Sequence, residues 1–375
     1  MTNIQHPILK NSDNLVNIFK GFDNRDTRKD LITGYMRLKS YMRDATHPCT
    51  YKKLKFYTKP QIEIIQADNG CNIDFINCGN GDSCLIENSG KYALIDFGSQ
   101  SGTVKKYLDK HVKGNVLEYA IVTHFHADHM SDFKNVFQNY NVKNLIIVKN
   151  TNPKIKNSTL KELAKLDNFC NASNITMLEI GNCIHNHSHN FTLGNASFEF
   201  LGPLQDLKNL NDNSIVLKMD YRDNSLLLTG DISSEAENNV IKYCINKNID
   251  LKTNILKVAH HGSKEGSSQK FLEITKPLVS VISCNPENPH NHPEIEAVNR
   301  INKNSLHVKY TYKGDISTQI TPEGELFVDG KSANLPEPKK YEFDFLKMWE
   351  RFKQENPTLI QNIPTNPNLG GRLYN

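Results

Sequence analysis

The chain has 375 residues and a formal net charge of +4, with 38% hydrophobic and 23% charged residues. That balance excludes a disordered polyelectrolyte and leaves enough apolar material for a substantial core. No run approaches the roughly eighteen apolar residues of a membrane-crossing helix, and "MTNIQHPILKNSDN" lacks the basic start and apolar stretch of a secretory signal.

Eight cysteines (Cys49, Cys71, Cys78, Cys84, Cys170, Cys183, Cys244, Cys284) are scattered without a C-x-x-C pair. Several fall in strand-like runs, where a free thiol behaves as a small hydrophobe. A disulfide framework is not expected, which points to a reducing, cytoplasmic setting.

Residues 1–60 read as a polar, mostly helical leader. Leu31, Ile32, Tyr35, Leu38 and Met42 recur at helical spacing, and Pro48 closes the segment. From Lys20 to Lys59 it carries eleven Lys or Arg against four Asp. Such a segment suits nucleic acid or another polyanion, and equally a solvated helical face.

From residue 61 the texture changes to short apolar runs bounded by Gly, Asn or Asp. The first block holds "NIDFI" (72–76), "SCLIE" (83–87), "YALIDF" (92–97), "EYAIV" (118–122) and "NLIIV" (144–148), with helical patterns at 102–112, 131–139 and 158–168. A second block holds "SFEFL" (197–201), "SIVLKM" (214–219), "SLLLT" (225–229), "NILKVA" (254–259), "VSVIS" (279–283) and "ELFV" (325–328). Helices are predicted at 233–247, 268–275 and 293–302. Two successive strand blocks with intervening helices predict an α/β protein in which two face-to-face sheets are covered outside by helices, a four-layer αββα sandwich spanning 61–330. Beyond it, 331–375 reads as a linker, a short amphipathic helix carrying Trp349, and a tail. That helix docks on the domain or serves a partner.

Chemistry concentrates at strand ends. "THFHADH" places His124, His126, Asp128 and His129 directly after the run 118–122. Side chains two apart on extended backbone point the same way, so His124 and His126 can share one cation, while the following turn sends Asp128 and His129 toward a second. "SLLLTGD" ends in Asp231, whose carboxylate can bridge two cations, and "ILKVAHHGS" ends in His260, His261 and Ser263. Each later segment alone is a weak signal; three strands ending in ligand types are a strong one.

These segments carry a resemblance. "IDFINCGNGDSCLIENSGKYALIDFGS" (73–99), "THFHADH", "NDNSIVLKM" (211–219), "LLLTGD", "LKVAHHGS" and "NPHNHPE" (288–294) resemble, in order, the motifs of the metallo-β-lactamase fold superfamily, in particular the soluble hydrolase domain of ComEC-type competence proteins. The resemblance covers about residues 62–330. It departs where Met130-Ser131-Asp132 replace the usual x-Gly-Gly after the Asp-His pair. It also offers only His185, His187 and His189, in "GNCIHNHSHN", for the histidine that many members use between the first motif and the bridging aspartate. We read those three as surface histidines, which leaves the first metal short of a ligand.

The resemblance implies a metallo-β-lactamase-type sandwich holding two divalent cations. His124 and His126 would bind the first, Asp128, His129 and His260 the second, with Asp231 between them and a hydroxide activated by both. Imidazole-rich sites favour Zn²⁺ and also accept Mn²⁺. Asp96 is the candidate for fixing a histidine tautomer and Asp82 for orienting the first loop, although either can be a turn carboxylate. Asp128, His261 and His292 are candidate catalytic groups, and Ser214 and Ser263 candidate substrate contacts. The implied activity is a metal-dependent phosphodiesterase or nuclease acting on DNA or another nucleic acid. The alternatives are hydrolysis of a lactam, lactone or thioester on the same site, or a non-catalytic binding protein. The sequence is silent on oligomeric state.

Overall fold

A computed structural model describes residues 68–149, 174–182, 186–207, 209–285 and 287–334. The basic leader, the helical pattern at 158–168, His185 and the segment with Trp349 lie outside the described residues.

Strand residues face the core by alternation. In β1 (Cys71–Phe75), Cys71, Ile73 and Phe75 are buried while Asn72 and Asp74 are not fully covered. β1 continues into β2 (Cys84–Asn88), β3 (Lys91–Ile95), β4 (Val116–Ile121), β5 (Asn141–Lys149) and β6 (Asn174–Glu179). A second run follows: β7 (Phe191–Leu193), β8 (Ala196–Phe200), β9 (Leu217–Tyr221), β10 (Asn224–Leu228), β11 (Ile255–Lys257), β12 (Val279–Ile282) and β13 (His307–Tyr310). The chain then returns through β14 (Ile316–Ile320), β15 (Leu326–Val328) and β16 (Lys331–Ser332). Among the described residues these form one sheet of order β16-β15-β14-β1-β2-β3-β4-β5-β6 and another of order β13-β12-β11-β10-β9-β8-β7.

Three apolar layers make the sandwich. Between the sheets, Ile73, Phe75 and Ile86 meet Phe198, Phe200, Leu217 and Leu228. Outside the first sheet, α1 (Thr103–His111) and α2 (Phe133–Asn139) bury Val104, Leu108, Phe133 and Phe137 over Leu94, Ala120 and Leu145. Outside the second, α3 (Ser234–Lys247), α4 (Gln269–Thr275) and α5 (Ile295–Asn304) bury Val240, Ile241, Phe271, Leu272 and Ile301 over Leu227 and Leu256. The strands beneath the helices are therefore covered on both faces, which is why they read as continuous apolar runs. No helix among the described residues is long and apolar enough to cross a membrane.

One expectation is corrected. The run at 325–328 does not complete the second sheet. It forms β15 of the first sheet, reached through β14, which pairs antiparallel with β1. β14 is "ISTQI", buried at Ile316, Thr318 and Ile320 and exposed at Ser317 and Gln319. A strand with only two strongly apolar residues is invisible to a search for apolar runs, so the return crossing went unread.

Phe133 stands behind the loop that carries the expected ligands. Its ring lies 5.1 Å from Phe97 and 4.1 Å from Phe137, and the Phe97 amide donates to the His129 carbonyl at 2.8 Å. Phe133→Ala is expected to lower the unfolding free energy by about 3–5 kcal/mol, because the cavity left between the Phe97 and Phe137 rings cannot fully collapse. Urea denaturation followed by circular dichroism measures this.

Candidate metal centre

β3 runs parallel to β4, and β10 parallel to β11. Their C-terminal ends gather at one edge of the sandwich, where open parallel sheets commonly place their sites. Asp96 follows β3, Thr123 and His124 follow β4, Asp231 follows β10, and His260 and His261 follow β11. The two sheets are tied there directly, the Ile215 amide donating to the Thr123 carbonyl at 2.9 Å, while within the second sheet the His260 amide donates to the Gly230 carbonyl at 3.2 Å.

Asp128, His129, Asp231 and His261 each present one ligand-type atom, and the four atoms lie within 4.8 Å of one another. Asp231 Oδ2 is the common neighbour. It stands 3.2 Å from His129 Nε2, 3.4 Å from His261 Nε2 and 3.9 Å from His124 Nε2. Asp128 Oδ2 lies 3.3 Å from His261 Nε2. On the other side, His124 Nε2 and His126 Nδ1 face each other at 3.0 Å.

The far nitrogens of three of the rings are held by partners, which for His129 and His261 are acceptors that keep a proton on Nδ1. Asp96 Oδ2 accepts from His129 Nδ1 at 2.8 Å and from the Thr123 hydroxyl, and Oδ1 accepts from the Thr123 amide. The Ser283 carbonyl accepts from His261 Nδ1 at 2.9 Å. His124 Nδ1 lies 3.2 Å from Ser214 Oγ and 3.3 Å from Thr123 Oγ1. Each ring thus turns its Nε2 inward. Asp231 Oδ1, Asp82 Oδ1 and His261 Nε2 are buried and make no hydrogen bond. Buried polar atoms without partners are rare and call for an explanation. A donor set of imidazoles and carboxylates aimed at a common point fits one or more divalent cations.

Electrostatics follow from the crowding. Burial opposes a charged His261, yet Asp231 and Asp82 outweigh it and push the imidazolium up to about 10. His129 is likewise raised well above the ordinary histidine value, burial being outweighed by Asp231, Asp96 and Asp128. Burial would raise Asp231, but His261 and His129 hold it well below the usual carboxylate range. Burial pushes His124 down well below its ordinary value, and His129 adds to the effect. Burial also raises Asp96, with His129 limiting the rise.

Lys257 is the group that sequence reasoning missed. It is 4% exposed, pairs through Nζ with Asp82 Oδ2, lies 3.6 Å from Asp231 Oδ1 and donates to the Gly230 carbonyl at 3.1 Å. Burial works against its charge, and Asp82 and Asp231 more than offset that, so its pKa is raised. The signal was present in "ILKVA": a lysine inside a buried strand is almost never left unpaired.

Several expected roles change. His260, expected as a ligand, turns away: Asn211 Nδ2 approaches its Nε2 at 3.3 Å, and its ring lies 5.1 Å from that of His292. His261, expected as a catalytic group, enters the cluster instead. The cause is local backbone, because φ is 50°, 53° and 82° at His260, His261 and Gly262. A strand-like reading of adjacent histidines cannot foresee three consecutive left-handed residues. Ser214, expected against substrate, is fully buried and lies under His124 and the Asp231 amide. Ser263 is buried as well and accepts from the Glu265 amide within its own turn. Asp82 faces Lys257 and lies 3.6 Å from His261 Nδ1. His292 stands beside His260, outside the four-residue group.

Two departures from the family motif acquire reasons. Asp132, where a glycine was expected, accepts from the amides of Gly102 and Lys105 and so caps the first turn of α1. His187 bonds to the Tyr243 hydroxyl at 2.6 Å and lies 3.3 Å from Glu199, on the outer face of the second sheet rather than at the centre. Gly81 explains the "GNGDS" turn: a Cβ there would lie 2.2 Å from the Asp128 carbonyl.

Lys257→Met is expected to destabilise the protein by about 3–5 kcal/mol, since it leaves Asp82 buried without its cation; chemical denaturation reads it. A pH dependence follows from His129 and His261. Their folded pKa values lie above the unfolded value of 6.5, so their contribution is full below that pH and is lost as pH rises through the folded value, about 10 for His261. Chelator-treated protein should therefore lose unfolding free energy steadily between those limits, and urea titrations across the window check it.

A model of the metallo-β-lactamase superfamily matches residues 76–285. ComE operon protein 3 of Bacillus subtilis is 24% identical over 275 residues, 66% of this chain and 34% of that protein. Recombination protein 2 of Haemophilus influenzae is 28% identical over 247 residues, 64% of this chain and 27% of that protein. The chain spans about a third or less of the length of these relatives. Among solved structures, the metallo-β-lactamase fold protein YhfI from Bacillus subtilis gives a TM-score of 0.42 at 10% identity, covering 69% of this chain and 100% of that one. Competence protein ComA of Neisseria gonorrhoeae is 34% identical over 114 residues, 30% of this chain and 16% of that protein. With the family match across more than half its length, and these relatives beside it, the chain belongs to the metallo-β-lactamase superfamily, in its ComEC-type branch.

Proposed function

We propose that this protein is a divalent-metal-dependent phosphodiesterase that acts on nucleic acid. The observation that carries the reading is the convergence of Asp128, His129, Asp231 and His261 from three separate loops, with Asp231 Oδ1 and His261 Nε2 buried and without a hydrogen bond. Asp128, His129, Asp231 and His261 would hold one cation. His124 and His126, with Asp231 beside them, would hold a second, poorer in ligands. Zn²⁺ suits this donor set and Mn²⁺ is an alternative occupant. When bound, such cations acidify a water to near neutral pH and stabilise charge developing on a phosphoryl group.

The chain's own residues set the rest. Asp96 fixes the His129 ring and the Ser283 carbonyl fixes the His261 ring, so both nitrogens stay aimed without reorganisation. Lys257 keeps Asp82 paired and faces only Oδ1 of Asp231, leaving Oδ2 toward the histidines. The centre opens where His126 and Asp128 are partly exposed, and substrate would approach there. The names of the relatives attach to competence and recombination, which supports nucleic acid as the substrate class.

The proposal assigns the hydrolase to residues 61–330, with the basic leader 1–60 available to a polyanion and 331–375 as an appendage. The buried free thiols Cys71, Cys78, Cys84, Cys244 and Cys284 suit a reducing, cytoplasmic setting.

Purified protein supplied with Mn²⁺ or Zn²⁺ is expected to hydrolyse bis-p-nitrophenyl phosphate and single-stranded DNA. Asp231→Asn should lower both rates by at least about a hundredfold. Turnover of a chromogenic β-lactam or thioester with no action on either phosphodiester would overturn the proposal.

A further inference from the structure

Beside the centre lies a second polar group that the reading above does not use. Asn288, itself buried, grips the backbone of His292 from both sides: its Oδ1 accepts from the His292 amide and its Nδ2 donates to the His292 carbonyl. The side chain so presented is 8% exposed, and its Nδ1 makes no hydrogen bond. Glu294 Oε1 is the nearest carboxylate oxygen to that nitrogen, at 3.9 Å, and it is already engaged by the Lys264 amide at 3.0 Å. Burial, with His260 and His261 nearby, holds the His292 imidazole neutral at neutral pH.

Facing this group across His260 is Asn211. Its Nδ2 approaches His260 Nε2, while its Oδ1 is buried and has no partner. Asn211 is coupled to the centre through the turn it opens: its carbonyl accepts from the Ser214 amide, and Ser214 Oγ touches both His124 and the Asp231 amide. The rim therefore carries one orphaned acceptor, Asn211 Oδ1, and one orphaned imidazole nitrogen, His292 Nδ1. A phosphate oxygen only accepts hydrogen bonds and would leave Asn211 Oδ1 unsatisfied. The complement must donate to Asn211 Oδ1 and can pair with His292 Nδ1 in either role, as the polar edge of a nucleoside does.

We propose that Asn211 and His292 form a nucleoside subsite on the rim of the centre, binding the nucleotide that flanks the scissile phosphate. This rests on the phosphodiesterase reading and specifies its substrate side. His260 lies between the two and lends its ring as one wall.

The test compares two esters with the same leaving group, bis-p-nitrophenyl phosphate and thymidine 5′-p-nitrophenyl phosphate, on the metal-loaded protein. In Asn211→Leu and in His292→Phe, the ratio of kcat/KM for the thymidine ester to that for the simple ester is expected to fall about tenfold, the loss of one well-formed hydrogen bond. The change should appear mainly in KM, with metal content unaltered. A proportional fall for both esters would mean that the residues only support the centre, and the subsite would be abandoned. Calorimetric binding of thymidine 5′-monophosphate to chelator-treated protein is the second readout. If the wild type cleaves neither ester but binds the nucleotide at least about tenfold more tightly than Asn211→Leu, the subsite stands and the phosphodiesterase reading falls. Equal binding by both proteins overturns the subsite.

Discussion

The structure of the centre is governed by the burial of negative charge. Asp82, Asp96, Asp128 and Asp231 converge at one edge of the sandwich, and three of them are almost fully withdrawn from water. Carboxylates so placed cannot stay ionised without compensating charge, because water no longer screens them. Lys257 supplies one permanent cation. The remaining compensation falls to His129 and His261, whose protonated forms the carboxylates stabilise. Protons on those nitrogens and divalent cations compete for the same place, so the pull that raises two imidazoles is the pull that would favour metal.

That arrangement is assembled by topology rather than by any one motif. Two parallel strand pairs, one in each sheet, end at the same edge, and each contributes a short loop. The loops are cross-braced by backbone bonds, Phe97 to His129, Asp82 to Asp128, and Ile215 to Thr123. Left-handed residues do the fine aiming. Asp96 at φ 62° directs its carboxylate under the His129 ring, and the turn 260–262 selects which of two adjacent imidazoles points inward. Backbone strain of this kind persists only where surrounding packing fixes it, and here Phe97, Phe133 and Phe137 form the support.

Much of this was legible in the sequence, for identifiable reasons. Apolar runs and Gly/Asn/Asp punctuation located the principal strands of both sheets, because a doubly covered sheet writes itself as continuous hydrophobicity. The clustering in "THFHADH" and the strand-end Asp231 singled out residues that the structure brings together, since ligand types at strand ends are compositionally rare. Features that depend on φ rather than on residue type were not legible: the exchange of His260 for His261, and the turning of Ser214 and Ser263 into the structure. β14 escaped because its buried face includes a threonine. Lys257 was readable in principle, but its meaning depends on Asp82, 175 positions away in sequence, and no local pattern connects them.

The placement of Lys257 also bears on why this position holds lysine rather than arginine. An ammonium is a compact point charge with three donors. Here it meets Asp82, the Gly230 carbonyl and, at longer range, Asp231 Oδ1, within a space walled by the ends of β10 and β11. A planar guanidinium would reach Asp231 in a fork and engage both of its oxygens, neutralising the one that His124, His129 and His261 share. Lysine instead compensates the back of the cluster and leaves the front to His129 and His261 or to a bound cation. The same asymmetry sets the direction of access: the side paired by Lys257 is sealed by the sandwich core, and the side left to the histidines opens past His126 and Asp128 toward the rim where His260 and His292 meet.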